Sequence, residues 1–191
     1  MEKVFKDDIL KGKVAVITGG VRGMLNHIAE TYLKHGASVI IMSRNEFNIV
    51  QAAEKLRAKT GRQNCVGFRC DIRKHSDIEA AIDKVLEKFG RIDILVNGAA
   101  GNFLAGLDNL SYNAFRTVIE IDTLGTFNMI KCVYTKWMRK HGGNIINISA
   151  TLHYNGVALQ SHAGSAKAAV DALTKHLAVE LVRQCFFSLF Y

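Results

Sequence analysis

The 191-residue chain contains no proline, where about 5% is usual in a globular protein. Any motif that depends on a proline-fixed turn is therefore excluded. Four cysteines, Cys65, Cys70, Cys132 and Cys185, form no C-x-x-C pair and show no zinc spacing. That pattern argues for free, buried thiols in a reducing compartment. The seven histidines are scattered, and no metal site is expected. Acid is scarce beside base, 17 Asp and Glu against 25 Lys and Arg, for a net charge of +8. Such a balance suits anionic partners, for example phosphorylated cofactors or coenzyme A. No basic run interleaved with aromatics occurs, so nucleic acid is not expected. No apolar run approaches the ~18 residues of a membrane span. The charged stretch from Met1 to Lys13 has no secretory apolar region.

What the chain does have is apolar runs of strand length. They recur at Val14–Thr18, Ser38–Met42, Cys65–Cys70, Ile92–Asn97 and Asn144–Ser149. Patterns of helical spacing lie between them, for example Ile78, Ile82, Val85, Leu86 and Phe89. Strands that read as continuous apolar runs are those buried on both faces of a parallel sheet. Five strands alternating with helices predict an α/β protein with a Rossmann-like doubly wound sheet. With 49% hydrophobic residues and no linker, residues 1–191 are expected to form one domain.

Ligands of such a sheet bind beyond the carboxyl ends of the strands. The first strand runs into Thr18-Gly19-Gly20-Val21-Arg22-Gly23-Met24-Leu25, a glycine turn that opens a helix. This arrangement presents backbone N–H groups to a pyrophosphate, or else is an ordinary strand-to-helix turn. After the second strand comes Arg44-Asn45. An arginine there can hold a ribose 2′-phosphate, as in NADP; a surface residue at a helix start is the alternative. Asp71, after the third strand, can accept from an adenine amino group or cap the next helix, a task for which Ser76 competes. The small residues of Asn97-Gly98-Ala99-Ala100-Gly101 let the chain lie flat against a ligand or make a tight turn. On the helix beginning near Ser111, the apolar stripe Phe115, Val118, Ile119, Thr126 and Met129 is interrupted by Asp122. A carboxylate on a buried stripe is costly unless paired or functional.

Taken together, Thr18-Gly19-x-x-x-Gly23, Asp71, Asn97-Gly98-Ala99 and Lys167 resemble the short-chain dehydrogenase/reductase family over residues 10–180. Within that family, segments 97–104, 121–128 and 162–172 are similar to the branch that reduces 2,4-dienoyl-CoA esters to 3-enoyl-CoA with NADPH. That branch serves peroxisomal β-oxidation of unsaturated fatty acids. The resemblance implies a nicotinamide site at Gly19, Gly20, Val21, Arg22, Gly23, Met24, Arg44, Asn45, Asp71, Ala99 and Lys167. It implies a fatty acyl-CoA substrate met by Arg44, Arg73, Phe103, Ser111, Tyr112 and Asn113, with solvated surface charge the alternative for both arginines. A homo-oligomer assembled through the helices around 115–138 and 163–181 is also implied.

Ketone chemistry in this family needs a serine, a Tyr-x-x-x-Lys pair and a helix asparagine. The corresponding positions here hold Ala150, Ala163 and Asp122, while Lys167 is retained. Asp122 and Lys167 are therefore expected to be the catalytic pair, ordering a water beside a conjugated thioester. A carbonyl reductase is disfavoured.

Two departures are visible. Leu25 stands where the family's glycine turn carries a third small residue, and weaker cofactor binding is expected from it. The resemblance ends near residue 180, and 181–191 reads as a divergent apolar tail. The lack of proline excludes the family's Pro-Gly loop. The chain thus reads as C-terminally truncated, without the last strands and substrate lid, its fifth strand expected as an unpaired edge. An inactive chain associating with full-length subunits is the second functional expectation. The final Leu-Phe-Tyr is not a Ser-Lys-Leu address, which leaves the cytoplasm as the alternative compartment.

Overall fold

In the computed structural model, which describes residues 6–183 and the backbone of 185–190, each apolar run becomes a strand. These are β1 (Val14–Thr18), β2 (Ser38–Ser43), β3 (Cys65–Arg69), β4 (Ile94–Asn97) and β5 (Gly143–Ile148). Helices α1 (Gly23–Lys34), α2 (Glu46–Thr60) and α3 (His75–Phe89) alternate with the first four. With a sixth strand, β6 (Cys185–Phe190), all strand pairs are parallel, in the order β3-β2-β1-β4-β5-β6.

The sixth strand corrects the expectation of an open edge. β6 (Cys185–Phe190) lies in the tail and pairs with β5 from Gly143↔Cys185 to Ile148↔Phe190. The segment is an apolar, aromatic run of strand length, and an unpaired β5 edge is a template for it.

Alternation along the strands sends side chains to two cores. Val16, Ile40, Met42, Leu95 and Ile145 pack on one face with Ile78, Ile82 and Val85 of α3. Ala15, Ile17, Val39, Ile41 and Val96 pack on the other with Ala29 and Leu33 of α1 and Ile49 and Leu56 of α2. Burying an aliphatic side chain contributes roughly 1.5–3 kcal/mol, against about 1 kcal/mol for a helix cap. That ranking explains why α1 and α3 stand without a side-chain N-cap.

After β4 a long helical rod is built in pieces. These are α4 (Tyr112–Ile119), a π turn over Glu120–Leu124, α5 (Gly125–Val133), a second π turn over Tyr134–Met138, and α6 (Arg139–His141). The joints keep right-handed helical dihedrals. α5 adds Met129, Ile130 and Val133 to the first core. Short α7 (Leu152–Asn155) and long α8 (Ser161–Glu180) follow β5. No helix among the described residues is long and apolar enough to cross a membrane.

Candidate active site

The turn after β1 is held open by what its glycines lack. Gly19 has φ +76°, and a Cβ there would stand 3.1 Å from the backbone N and Cα of Ala99. Only glycine combines that dihedral with that approach. Beside it the buried Thr18 Oγ1 accepts from the amides of Gly98 at 3.0 Å and Ala99 at 3.1 Å. The hydroxyl thereby fixes the β4 loop against the β1 turn. A cleft of about 490 Å³ opens at these strand ends, within the range of small-molecule sites.

Gly19, Val21, Arg22 and Gly23 line the cleft on one side, and Arg44, Asn45, Asp71 and Ala99 on the others. Gly20 lies beneath the turn, where a Cβ would meet Ile41 Cγ2 at 2.7 Å. Met24 is more than half exposed and is not part of the cleft wall. Asn45 caps α2 by accepting from the Asn48 amide at 3.0 Å. Arg44 is exposed, with no hydrogen bond or ion pair among the described residues.

Asp71 and Arg73, read separately in the sequence, form one unit. Asp71 Oδ1 accepts from Arg73 N and Nε at 3.1 and 2.9 Å, and Oδ2 accepts from Nη2 at 2.6 Å. The guanidinium holds the Asp71 carboxyl down to about 2. Ser111 is likewise engaged, accepting from the Ala114 amide as the N-cap of α4. Tyr112 beside it is 96% exposed, and Asn113 is exposed too. Neither lines the cleft.

Asp122 and Lys167 do meet. Asp122 sits in the first π turn of the rod, 1% exposed, and such turns frequently occur at functional sites. Its Oδ1 accepts from the Gly101 amide at 2.7 Å, and its Oδ2 is 3.3 Å from Lys167 Nζ. Lys167 Nζ also donates to the Ile148 carbonyl at 2.9 Å. Burial pushes the Asp122 carboxyl above the usual carboxylate range, while the Lys167 charge and the Gly101 amide pull it back. The cleft wall includes Ala100 and Ile121, the chain neighbours of Gly101 and Asp122, while Asp122 and Lys167 themselves do not line it. Ala163 is buried on α8 one turn before Lys167.

Two features escaped the sequence reading. His162 is fully buried on α8, with Nε2 3.0 Å from the Phe103 carbonyl oxygen. Its sequence signal is its place at four-residue intervals before the buried Ala166, Val170 and Thr174. The second is a cluster on Asp171, which accepts from the Ser149 hydroxyl and, at 3.2 Å, from Tyr154 OH. Its Oδ2 also lies 3.0 Å from His153 Nε2. No group of metal-ligating residues forms among the described residues.

The parallel order, the glycine turn and the helical lysine define a class, and the chain belongs to it: the family model for short chain dehydrogenases matches residues 13–185. Membership implies a nicotinamide cofactor. The chain is similar to the peroxisomal 2,4-dienoyl-CoA reductase of Danio rerio, 55% identical over 177 residues, covering 93% of this chain and 59% of the relative. The chain thus spans about three-fifths of the length of the curated relatives it matches. Among solved structures it is similar to a citronellol catabolism dehydrogenase of Pseudomonas aeruginosa, with a TM-score of 0.88 and 26% identity. That likeness covers 96% of this chain and 74% of the other. A short chain dehydrogenase of Bacillus anthracis gives a TM-score of 0.86 and 39% identity, covering 92% and 72%.

Proposed function

We propose that the chain, working as one NADP(H)-binding domain, reduces 2,4-dienoyl-CoA esters to 3-enoyl-CoA in the peroxisome. The observation that carries this reading is the buried Asp122–Lys167 pair, in a site where alanines occupy the positions that ketone chemistry requires. The name of the Danio rerio relative supports the substrate and the compartment.

The residues present fit the cofactor. Gly19 lets the β1 turn lie directly against the Ala99 backbone with its amides uncovered by a side chain of its own, and Arg44 and Arg22 bring positive charge to the cleft wall. Arg44 would take the 2′-phosphate, with the turn amides and Arg22 toward the pyrophosphate. Bound there, NADPH supplies a hydride. The product also requires a proton at the thioester α-carbon, and that half of the reaction falls to the chain's own side chains. Asp122, its carboxyl raised by burial, can carry a proton nearer to neutral pH than an exposed aspartate can. Lys167 holds the carboxylate in place and stabilises it once the proton has left.

For the acyl-CoA, Phe103 would offer an exposed aromatic ring, and the Arg73 guanidinium, already fixed by Asp71, a phosphate contact. Ser111, Tyr112 and Asn113 would serve only the outer parts of the substrate. Assembly of identical chains is proposed through the rod and α8, where Leu124, Phe127 and Val179 are exposed.

The test is loss of NADPH absorbance when the purified chain meets a 2,4-dienoyl-CoA. Turnover is expected, and Asp122→Asn should lower kcat by about 10²–10⁴-fold while NADPH still binds. No turnover from the chain, together with its co-purification with a full-length homologue, would favour a purely associating subunit.

A further inference from the structure

The loop that delivers Gly101 to Asp122 has almost no side chain of its own. Gly98-Ala99-Ala100-Gly101 offers two methyl groups and two glycines, so its conformation has to be fixed from outside. Three contacts join the residues just after it to the start of α8. Asn102 Nδ2 donates to Gln160 Oε1 at 2.7 Å in an exposed pair. The Ala105 amide donates to the Leu159 carbonyl at 3.1 Å. The third and buried contact is His162.

Because a carbonyl can only accept, the Phe103 oxygen at 3.0 Å requires the hydrogen of His162 to sit on Nε2. The imidazole also lies nearly flat on the Phe103 ring, centroids 4.3 Å apart at 20°. Nδ1 is buried without a hydrogen-bond partner, so the Phe103 carbonyl is the ring's one hydrogen-bond partner among the described residues. The ring thus grips Phe103 by both its backbone and its side chain. Phe103 is two residues from Gly101, whose amide reaches Asp122 at 2.7 Å.

We infer that His162 is a positioning residue: by holding Phe103 against α8 it fixes the Gly101 amide on Asp122, and so sets the geometry of the Asp122–Lys167 pair. The catalytic consequence rests on the reductase reading above; the placement of Gly101 does not.

Amide hydrogen exchange tests the placement without any turnover. In His162→Leu the amides of Gly101 to Phe103 should exchange about fivefold faster or more, the scale of one lost hydrogen bond, with β4 amides still protected. His162→Gln carries an amide donor in place of Nε2 and should restore slow exchange at Gly101. Unchanged exchange in His162→Leu, or no rescue by His162→Gln, would overturn the inference. If His162→Leu unprotects β4 as well, Phe103→Leu is measured instead, since it keeps the carbonyl and removes the stacked ring. Faster exchange at Gly101 then supports the role, and wild-type exchange overturns it. In the dienoyl-CoA assay, His162→Leu should lower kcat several-fold at unchanged NADPH affinity, with recovery in His162→Gln. A lowered kcat with unaltered exchange would sink the positioning role and leave the reductase reading standing; a wild-type chain without turnover does the reverse.

Discussion

Leu25 and Gly98 have to be considered together. A Cβ on Gly98 would fall 2.3 Å from Leu25 Cδ1, so the leucine occupies space that only a glycine just after β4 leaves open. Leu25 is also 9% exposed and part of the second core, while lining the cleft. Its bulk narrows the cleft at the end of the glycine turn, where a pyrophosphate is expected. Leu25→Gly should therefore tighten NADPH binding and lower thermal stability at once, since removing a buried leucine costs about 2–5 kcal/mol. Fluorescence titration and calorimetry read the two effects; equal affinities would dismiss the first. At this scale the sequence was legible where periodicity applies. Asp122 stood out as a charge on an apolar stripe, and His162 lies on such a stripe as well. The Asp71–Arg73 fork was not legible, because a pair two residues apart in a loop follows no helical or strand period.

Among the elements, strand positions were readable within a residue or two because each is an apolar run buried on both faces. The π turns were not, since one extra residue per turn leaves a 3.6-residue pattern nearly intact over a short window. The joint between α1 and α2 is also a product of folding. Glu30, 4% exposed, accepts from Lys34 Nζ at 2.6 Å on its own helix and from Lys59 Nζ at 2.7 Å at the end of α2. Those two hydrogen bonds hold its carboxyl down to about 2, from 4.5. A lowered folded-state pKa contributes stability above the unfolded value, and loses it as pH falls through the folded one. Thermal melts of wild type and Glu30→Gln should therefore differ at pH above 4.5 and converge toward about 2. Parallel curves across that window would show that the triad contributes nothing.

For the whole molecule, the tail matters through its backbone. β6 extends the sheet by one strand beyond β5, and the sequence reading missed it because the residues after 180 no longer follow the family pattern. Pairing, however, requires only an extended apolar segment and a free neighbouring edge. A chain ending at residue 183 should thus expose β5 and aggregate faster, as followed by light scattering during refolding; equal scattering would show that β6 protects nothing.

The order β3-β2-β1-β4-β5-β6 also bears on how the polypeptide emerges from the ribosome. The first half builds outward from β1 in one direction and the second half in the other. β1 is therefore left with a bare side until its partner is made, and Thr18 waits 80 residues for the Gly98 amide. At about 5–20 residues per second, that gap lasts several seconds, during which half of the central strand has no partner. The cleft at the strand ends is assembled only when that gap closes, so the proposed cofactor site and the last central pairing of the sheet come into being in one event.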